Sequence, residues 1–174
     1  MVAMTKMFQK TNSSRGFTLI ELLITVVIIG IITALATPTF QKAWERQSFQ
    51  TGNKEMISKL RVARSNAVST KQPHGVHFDS EAKVYTLFRD VANLGANTFE
   101  TGDSIISVDT LPPEFTYLNT HFDNDVIMFQ SNGSADFTGT GTFITAAESE
   151  NLVALYSTNI LASTGRIKTY SNYY

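Results

Sequence analysis

The chain has 174 residues, with 14 Lys and Arg against 15 Asp and Glu, and no cysteine. That length allows one ordinary domain plus a short additional segment. The missing cysteine excludes disulfide bracing and thiolate chemistry, so a domain of this size must rest on its hydrophobic core.

Residues 15–21, Arg-Gly-Phe-Thr-Leu-Ile-Glu, open an apolar run that reaches Ala36. The run carries one acid, Glu21, near its start. A carboxylate near the centre of a membrane helix costs about 2.5–3.5 kcal/mol, so an acid retained there usually has a partner and a role. The placement points to a subunit stored in a membrane whose acid is neutralised when subunits assemble. Lys6, Lys10 and Arg15 precede the run, which leaves 11 cations against 15 acids in the rest of the chain. By the positive-inside rule those three hold the N-terminus in the cytoplasm and send the C-terminal part outward. Twenty helical residues span about 30 Å, one hydrocarbon thickness. Gly30 and Pro38 are weak points, because glycine loosens a helix and proline removes a backbone donor. They mark either a mild kink without function or a place where the segment bends as subunits pack.

Beyond Pro38 the pattern becomes amphipathic. Phe49, Met56, Leu60, Ala63 and Ala67 recur at helical spacing, and Ile57 and Val68 widen the stripe. Lys42, Arg46, Lys54, Lys59, Arg61 and Arg64 occupy other positions, either as a solvated face or as contacts to acidic domains of adjacent subunits. One helix is expected from about Phe17 to Thr70, irregular near Pro38 and at Gly52-Asn53, and ended by Gln72-Pro73.

From residue 74 the chain reads as short strands: Val76–Phe78, Lys83–Phe88, Ser104–Val108, Val126–Phe129, Thr142–Thr145, Leu152–Tyr156 and Arg166–Tyr170. Asn132-Gly133 marks a hairpin to Ala135–Phe137, and Gly139-Thr140-Gly141 and Ser163-Thr164-Gly165 read as turns. Leu111-Pro112-Pro113-Glu114 must be a turn or an edge, and residues 91–103 an irregular loop. The fold class is therefore α+β: a long N-terminal helix, apolar in its first half, packed on an antiparallel β domain.

Catalytic constellations are hard to find. His74 and His77 form an H-x-x-H without a third ligand, and His121 stands alone. Asp123 and Asp125 flank Asn124 on one side of a possible strand, too sparse a set for a known calcium loop. No Ser/His/Asp set has a recognisable spacing. Asn132-Gly133-Ser134 matches a glycosylation sequon that a tight turn explains more simply. No enzymatic activity, cofactor or metal is expected.

Gly16, Phe17, Thr18, Leu19, Ile20, Glu21, Leu22 and Leu23, continuing to Pro38, resemble the class III signal of type IV pilins and type II secretion pseudopilins. The resemblance implies cleavage by a prepilin peptidase between Gly16 and Phe17 and N-methylation of Phe17. Glu21 becomes the fifth mature residue, which in this family pairs with a neighbouring subunit's N-terminus. The competing reading is an ordinary secretory signal cut after Ala34-Leu35-Ala36, leaving Thr37 first. Against it stand the acid inside the run and the helix-forming sequence beyond residue 36.

Later segments add to this. Leu60-Arg61-Val62-Ala63-Arg64-Ser65-Asn66-Ala67-Val68 resembles the "ARxxAV" segment of GspH/FimT-type minor pilins and pseudopilins. Phe129-Gln130-Ser131-Asn132-Gly133 resembles their F-x-x-x-G element, and Thr164-Gly165-Arg166-Ile167-Lys168 their C-terminal basic strand. The implied plan is a leader at 1–16, a transmembrane and assembly helix at 17–37, an amphipathic half at 38–72 and a β domain at 73–174. The implied place is a single-pass inner-membrane subunit with a periplasmic domain, assembled into a type IV pilus or a type II secretion pseudopilus. Its partners would be other pilin or pseudopilin subunits, the prepilin peptidase and the inner-membrane assembly platform. Some FimT-like members bind DNA through the basic strand, which makes Arg166 and Lys168 candidates. However, Lys168 stands where arginine is more typical, and residues 79–150 carry twelve acids against Lys83 and Arg89. A membrane-anchored exported enzyme is the remote alternative.

Overall fold

The computed structural model describes residues 16–149 and 152–173; apart from Gly16, the expected leader lies outside them. One helix, α1 (Leu19–Thr70), runs through most of the N-terminal third. It starts two residues later than expected because Thr18 caps it: the Thr18 hydroxyl accepts the Glu21 amide at 3.3 Å. The chain forms two compact units, Met1–Thr39 and Phe40–Tyr174, whose boundary falls within α1.

In the first unit the described side chains are exposed. The hydroxyls of Thr25, Thr33 and Thr37 donate back to the carbonyls of Leu22, Ile29 and Thr33, each at 2.8 Å. These bonds satisfy three of the hydroxyls on an otherwise apolar stretch. The irregularity expected at Pro38 is absent, for α1 is assigned without interruption through Gly30 and Pro38. Pro38 withholds a single amide from the helix.

In the second unit α1 buries Phe49, Gly52, Asn53, Met56, Ile57, Leu60, Ala63 and Ala67. Val68, expected to widen this stripe, is exposed instead. Nor is Gly52-Asn53 a break. A Cβ on Gly52 would come within 2.8 Å of the Phe115 ring and 2.9 Å of Pro112 Cδ. The glycine is thus a landing place for the Pro112 turn. Asn53 donates to the Phe49 carbonyl at 2.9 Å and accepts from Thr145 Oγ1 at 2.6 Å. This pair lets two polar side chains lie buried without an unmet donor or acceptor between them.

Among the described residues the β domain has nine strands: β1 (His74–Asp79), β2 (Val84–Arg89), β3 (Ser104–Thr110), β4 (Tyr117–Phe122), β5 (Val126–Phe129), β6 (Ala135–Asp136), β7 (Gly139–Glu148), β8 (Val153–Leu161) and β9 (Arg166–Tyr173). They form two antiparallel sheets, ordered β3-β2-β1-β5-β6 and β4-β7-β8-β9. Phe78 from the first sheet meets Phe143 from the second at 5.3 Å between ring centroids. Phe49 of α1 packs on Phe115 at 4.6 Å and on Tyr156 at 5.5 Å. One core therefore joins helix and both sheets.

Three expectations need correction. Strand β4 was not foreseen, since Tyr117–Phe122 shows little apolar alternation. Gly139-Thr140-Gly141 opens β7 rather than forming a turn. Gly141 faces inward there, and the Phe137 ring occupies the space a side chain would need. Asp123–Asp125 forms a single 3-10 turn, not a strand. In it Asn124 is left-handed (φ 61) and the Thr120 hydroxyl donates to Asp125. The loop at 91–103 is irregular as expected, and the Asp103 carboxylate gathers three of its amides. Burial alone would raise the Asp103 pKa, but the amides of Val91, Ala92 and Glu100, at 3.0, 3.1 and 3.0 Å, together pull it below the ordinary value.

Candidate functional site

Two regions hold the residues singled out from the sequence. At the N-terminus Gly16 and Phe17 are exposed and precede the helix. Glu21 lies in the first turn of α1, where the positive end of the helix dipole favours an acid. A Cβ on Gly30 would meet nothing, so no packing explains that glycine. Among the described residues α1 is the one helix long and apolar enough to cross a membrane.

The second region lies where late α1 meets the β8–β9 turn, and there three separate sequence segments converge. Arg64 Nε donates to the Gly133 carbonyl at 2.9 Å. Gly165, left-handed at φ 60, presses on the same place: a Cβ there would collide with the Gly133 oxygen and come within 2.9 Å of Arg64 Nε. The turn holding Gly165 is closed by its amide donating to the Leu161 carbonyl at 2.7 Å. Gly133 itself (φ 82) sits in a loop stiffened by Asn132, whose Oδ1 accepts the Ser134 amide at 2.9 Å and hydroxyl at 2.7 Å. The "ARxxAV", F-x-x-x-G and G-R-I segments thus form one three-way joint. Sequence reasoning named all three but read Arg64 as part of a solvated face or a contact to adjacent subunits, because nothing in linear order shows that they meet.

Beside the joint an open groove of about 790 Å³ is lined by Arg61, Arg64, Ser65, Val68, Gly165 and Arg166, among others. Arg166 and Lys168 are both exposed on β9, opposite Leu161 and Asn159 respectively. Arg166 joins the helix arginines at the groove, whereas Lys168 is not among its lining residues. Of the C-terminal tyrosines, Tyr173 is committed to the domain: its hydroxyl bonds that of Tyr156, and the Arg46 guanidinium lies 4.2 Å above its ring. Burial, together with the bond to Tyr173, pushes Tyr156 up to about 12. Tyr170 is exposed, and Tyr174 lies outside the described residues.

His74 and His77 do not converge. They are three apart on β1 and so face opposite sides. His74 Nδ1 bonds the Gln72 carbonyl at 2.9 Å, and the His77 ring stacks on Phe99. Burial lowers the His77 pKa despite Asp125 and Asp79 nearby. No group of three His, Asp or Glu side chains able to hold a metal occurs among the described residues.

Comparison with known proteins gives a consistent picture. Residues 11–37 match the prokaryotic N-terminal methylation motif, and residues 53–159 match the family described as type II transport protein GspH. The type IV major pilin protein PilA of Myxococcus xanthus (strain DK1622) is 45% identical over 58 residues, 33% of this chain and 26% of that protein. The chain therefore spans about a quarter of that relative. Among solved structures, the minor pseudopilin EpsH from the type 2 secretion system of Vibrio cholerae aligns with a TM-score of 0.51 at 13% identity. That alignment covers 71% of this chain and 97% of EpsH and shows a shared fold. The type IV minor pilin FimU of Pseudomonas aeruginosa (strain PAO1) aligns with a TM-score of 0.48 at 18% identity, covering 72% of this chain and 90% of FimU.

Proposed function

The chain belongs to the GspH family of type II transport proteins, structural subunits of the pilin and pseudopilin kind, and from that premise we propose a minor subunit assembled through its N-terminal helix. The observation that carries this is one unbroken helix with an acid in its first turn, an exposed apolar first stretch and a later stretch built into a GspH-type domain. The leader is residues 1–16, the span 17–37, the amphipathic half 38–72 and the β domain 73–174. Before assembly the span anchors the subunit in the inner membrane with its domain on the periplasmic side. The partners are like subunits, the prepilin peptidase that cuts between Gly16 and Phe17, and the assembly platform. Glu21 pairs with a terminal ammonium once the helices bundle. Gly30 and Pro38 lower the cost of local bending during that transfer. Expressing the full chain with and without a prepilin peptidase tests the first step. N-terminal sequencing is expected to find N-methylated Phe17 only when the peptidase is present. A mature chain starting at Thr37, or one that keeps its first sixteen residues in assembled filaments, would overturn the reading.

A second reading, nucleic-acid binding during DNA uptake, is favoured by one observation: Arg61, Arg64 and Arg166 line a single open groove. The twelve acids of residues 79–150 oppose it. If the groove binds duplex DNA, replacing both Arg61 and Arg166 by alanine weakens retention in a gel shift and flattens the slope of log affinity against log salt by about 2. Unchanged affinity, or no retention of the parent protein, ends this reading.

A further inference from the structure

Twenty consecutive residues, Leu22–Gln41, carry no ionisable side chain, and the next residue is Lys42. At 1.5 Å per residue they measure about 30 Å, the thickness of a hydrocarbon core. Directly at the end of this run two aromatic side chains stand out of the second unit. Phe40 and Trp44, one helical turn apart, are 68% and 64% exposed and stack with centroids 6.3 Å apart at 26°. Trp44 is the only tryptophan of the chain. Lys42, exposed, lies between them in sequence. The β domain begins to engage the helix just beyond: Ser149 donates to Glu45 at 2.6 Å, and Ser48 to Glu114 at 2.9 Å. Phe40 and Trp44 therefore bracket the end of the apolar run just before the folded body, with Lys42 between them in sequence.

Tryptophan is enriched at the headgroup level of membranes, where its apolar ring and N–H are both satisfied. A lysine at the same depth can keep its ammonium among lipid phosphates while its stem lies along the acyl chains. We infer that Phe40, Trp44 and Lys42 form an interfacial anchor that seats the stored subunit against phospholipid headgroups on the face of the bilayer opposite its N-terminus. The occupant of this exposed aromatic face is the lipid interface, because the face continues the apolar run and Lys42, on the other side of the helix, puts a charge complementary to phosphate at the same depth. The anchor fixes how far the span can slide. It rests on the proposed membrane storage and adds the depth at which the helix is held.

The single tryptophan makes this measurable. The full chain is reconstituted into vesicles of phosphatidylethanolamine and phosphatidylglycerol carrying spin labels either near the headgroups or deep in the acyl chains. Trp44 emission is expected to be quenched several-fold more by the shallow label than by the deep one, and to be bluer than in urea-unfolded protein. A second protein, Trp44→Phe with Ile32→Trp, moves the reporter into the apolar run and is expected to show the reverse preference. If Ile32→Trp is quenched by the deep label but Trp44 by neither, the aromatic pair contacts protein or water and the anchor is wrong while membrane storage stands. If neither reporter is quenched, the span is not inserted, and storage and anchor fall together.

Discussion

Gly165→Ala is expected to destabilise the protein by about 3 kcal/mol, or by roughly 6–12 °C in melting temperature for a chain of this size. Two effects add. The left-handed backbone at φ 60 costs a residue with a Cβ about 1–2 kcal/mol. The new methyl also falls on the Gly133 carbonyl oxygen and beside Arg64 Nε, the two ends of the bond that ties α1 to the β5–β6 loop. A hydrogen bond from a charged donor contributes about 1.5–3 kcal/mol, and its carbonyl would be left with a poorer partner. The turn cannot simply move aside, since the Gly165 amide is held by Leu161 and the Ala162 carbonyl accepts the Ala135 amide at 2.8 Å. Denaturant titration of the parent, Gly165→Ala, Arg64→Ala and the double variant gives the coupling directly. Because both single changes break the same bond, their sum should exceed the double by more than about 0.5 kcal/mol. A Gly165→Ala protein as stable as the parent, or strictly additive changes, would show that the three-way joint carries no energy.

That joint also shows what linear order conceals. The helix was legible because its signals are local: an unbroken apolar run, then Phe49, Met56, Leu60, Ala63 and Ala67 at helical spacing, all buried as expected. β-branched runs likewise marked most strands, and a hairpin does form around Asn132-Gly133, pairing Phe129 with Ala135 across a loop longer than a two-residue turn. Glycines misled wherever their purpose was tertiary. Gly52 makes room for Phe115 and Pro112, and Gly141 for Phe137, so neither breaks the element containing it. Asn53 read as part of an irregular spot in the helix because its partner, Thr145, lies 92 residues away. Strand β4 was missed because its burial comes from Leu118 and Phe122 alone, while β7 supplies the pairing that holds Asn119 and Thr120 in place. The same distinction applies to the basic strand. Sequence placed Arg166 and Lys168 together on one strand, but only the fold brings Arg166 to Arg61 and Arg64. Where a residue answers to its neighbours in the chain it can be read, and where it answers to a distant backbone atom it cannot.

The largest functional effect is expected at Glu21, whose substitution by leucine should abolish incorporation into the filament while leaving cleavage after Gly16 and methylation of Phe17 intact. Under the proposed assembly the subunit partitions between a bilayer and a bundle of like helices, and the acid pushes it out of the first and into the second. In the bilayer an ionised acid is costly, by about 2.5–3.5 kcal/mol near the helix centre and less toward the interface. In the bundle the same group finds a terminal ammonium, and removing one partner of such a pair leaves the other charge buried and alone. Leucine reverses both terms: it stabilises storage and strands the ammonium in the filament. A combined change of about 3 kcal/mol moves the partition by roughly a hundredfold, which in a fractionation appears as full-length, processed protein confined to the membrane. Glu21→Gln separates charge from size, since it keeps the volume and hydrogen-bonding oxygen but cannot form the ion pair, and it should fail almost as completely. Glu21→Asp keeps the charge on a shorter stem and should retain part of the incorporation. Immunoblots of sheared filament and membrane fractions, with mass spectrometry of the mature N-terminus, read all three variants. Normal incorporation of Glu21→Leu would mean that the helix enters the filament on packing alone, and the acid would then need another explanation.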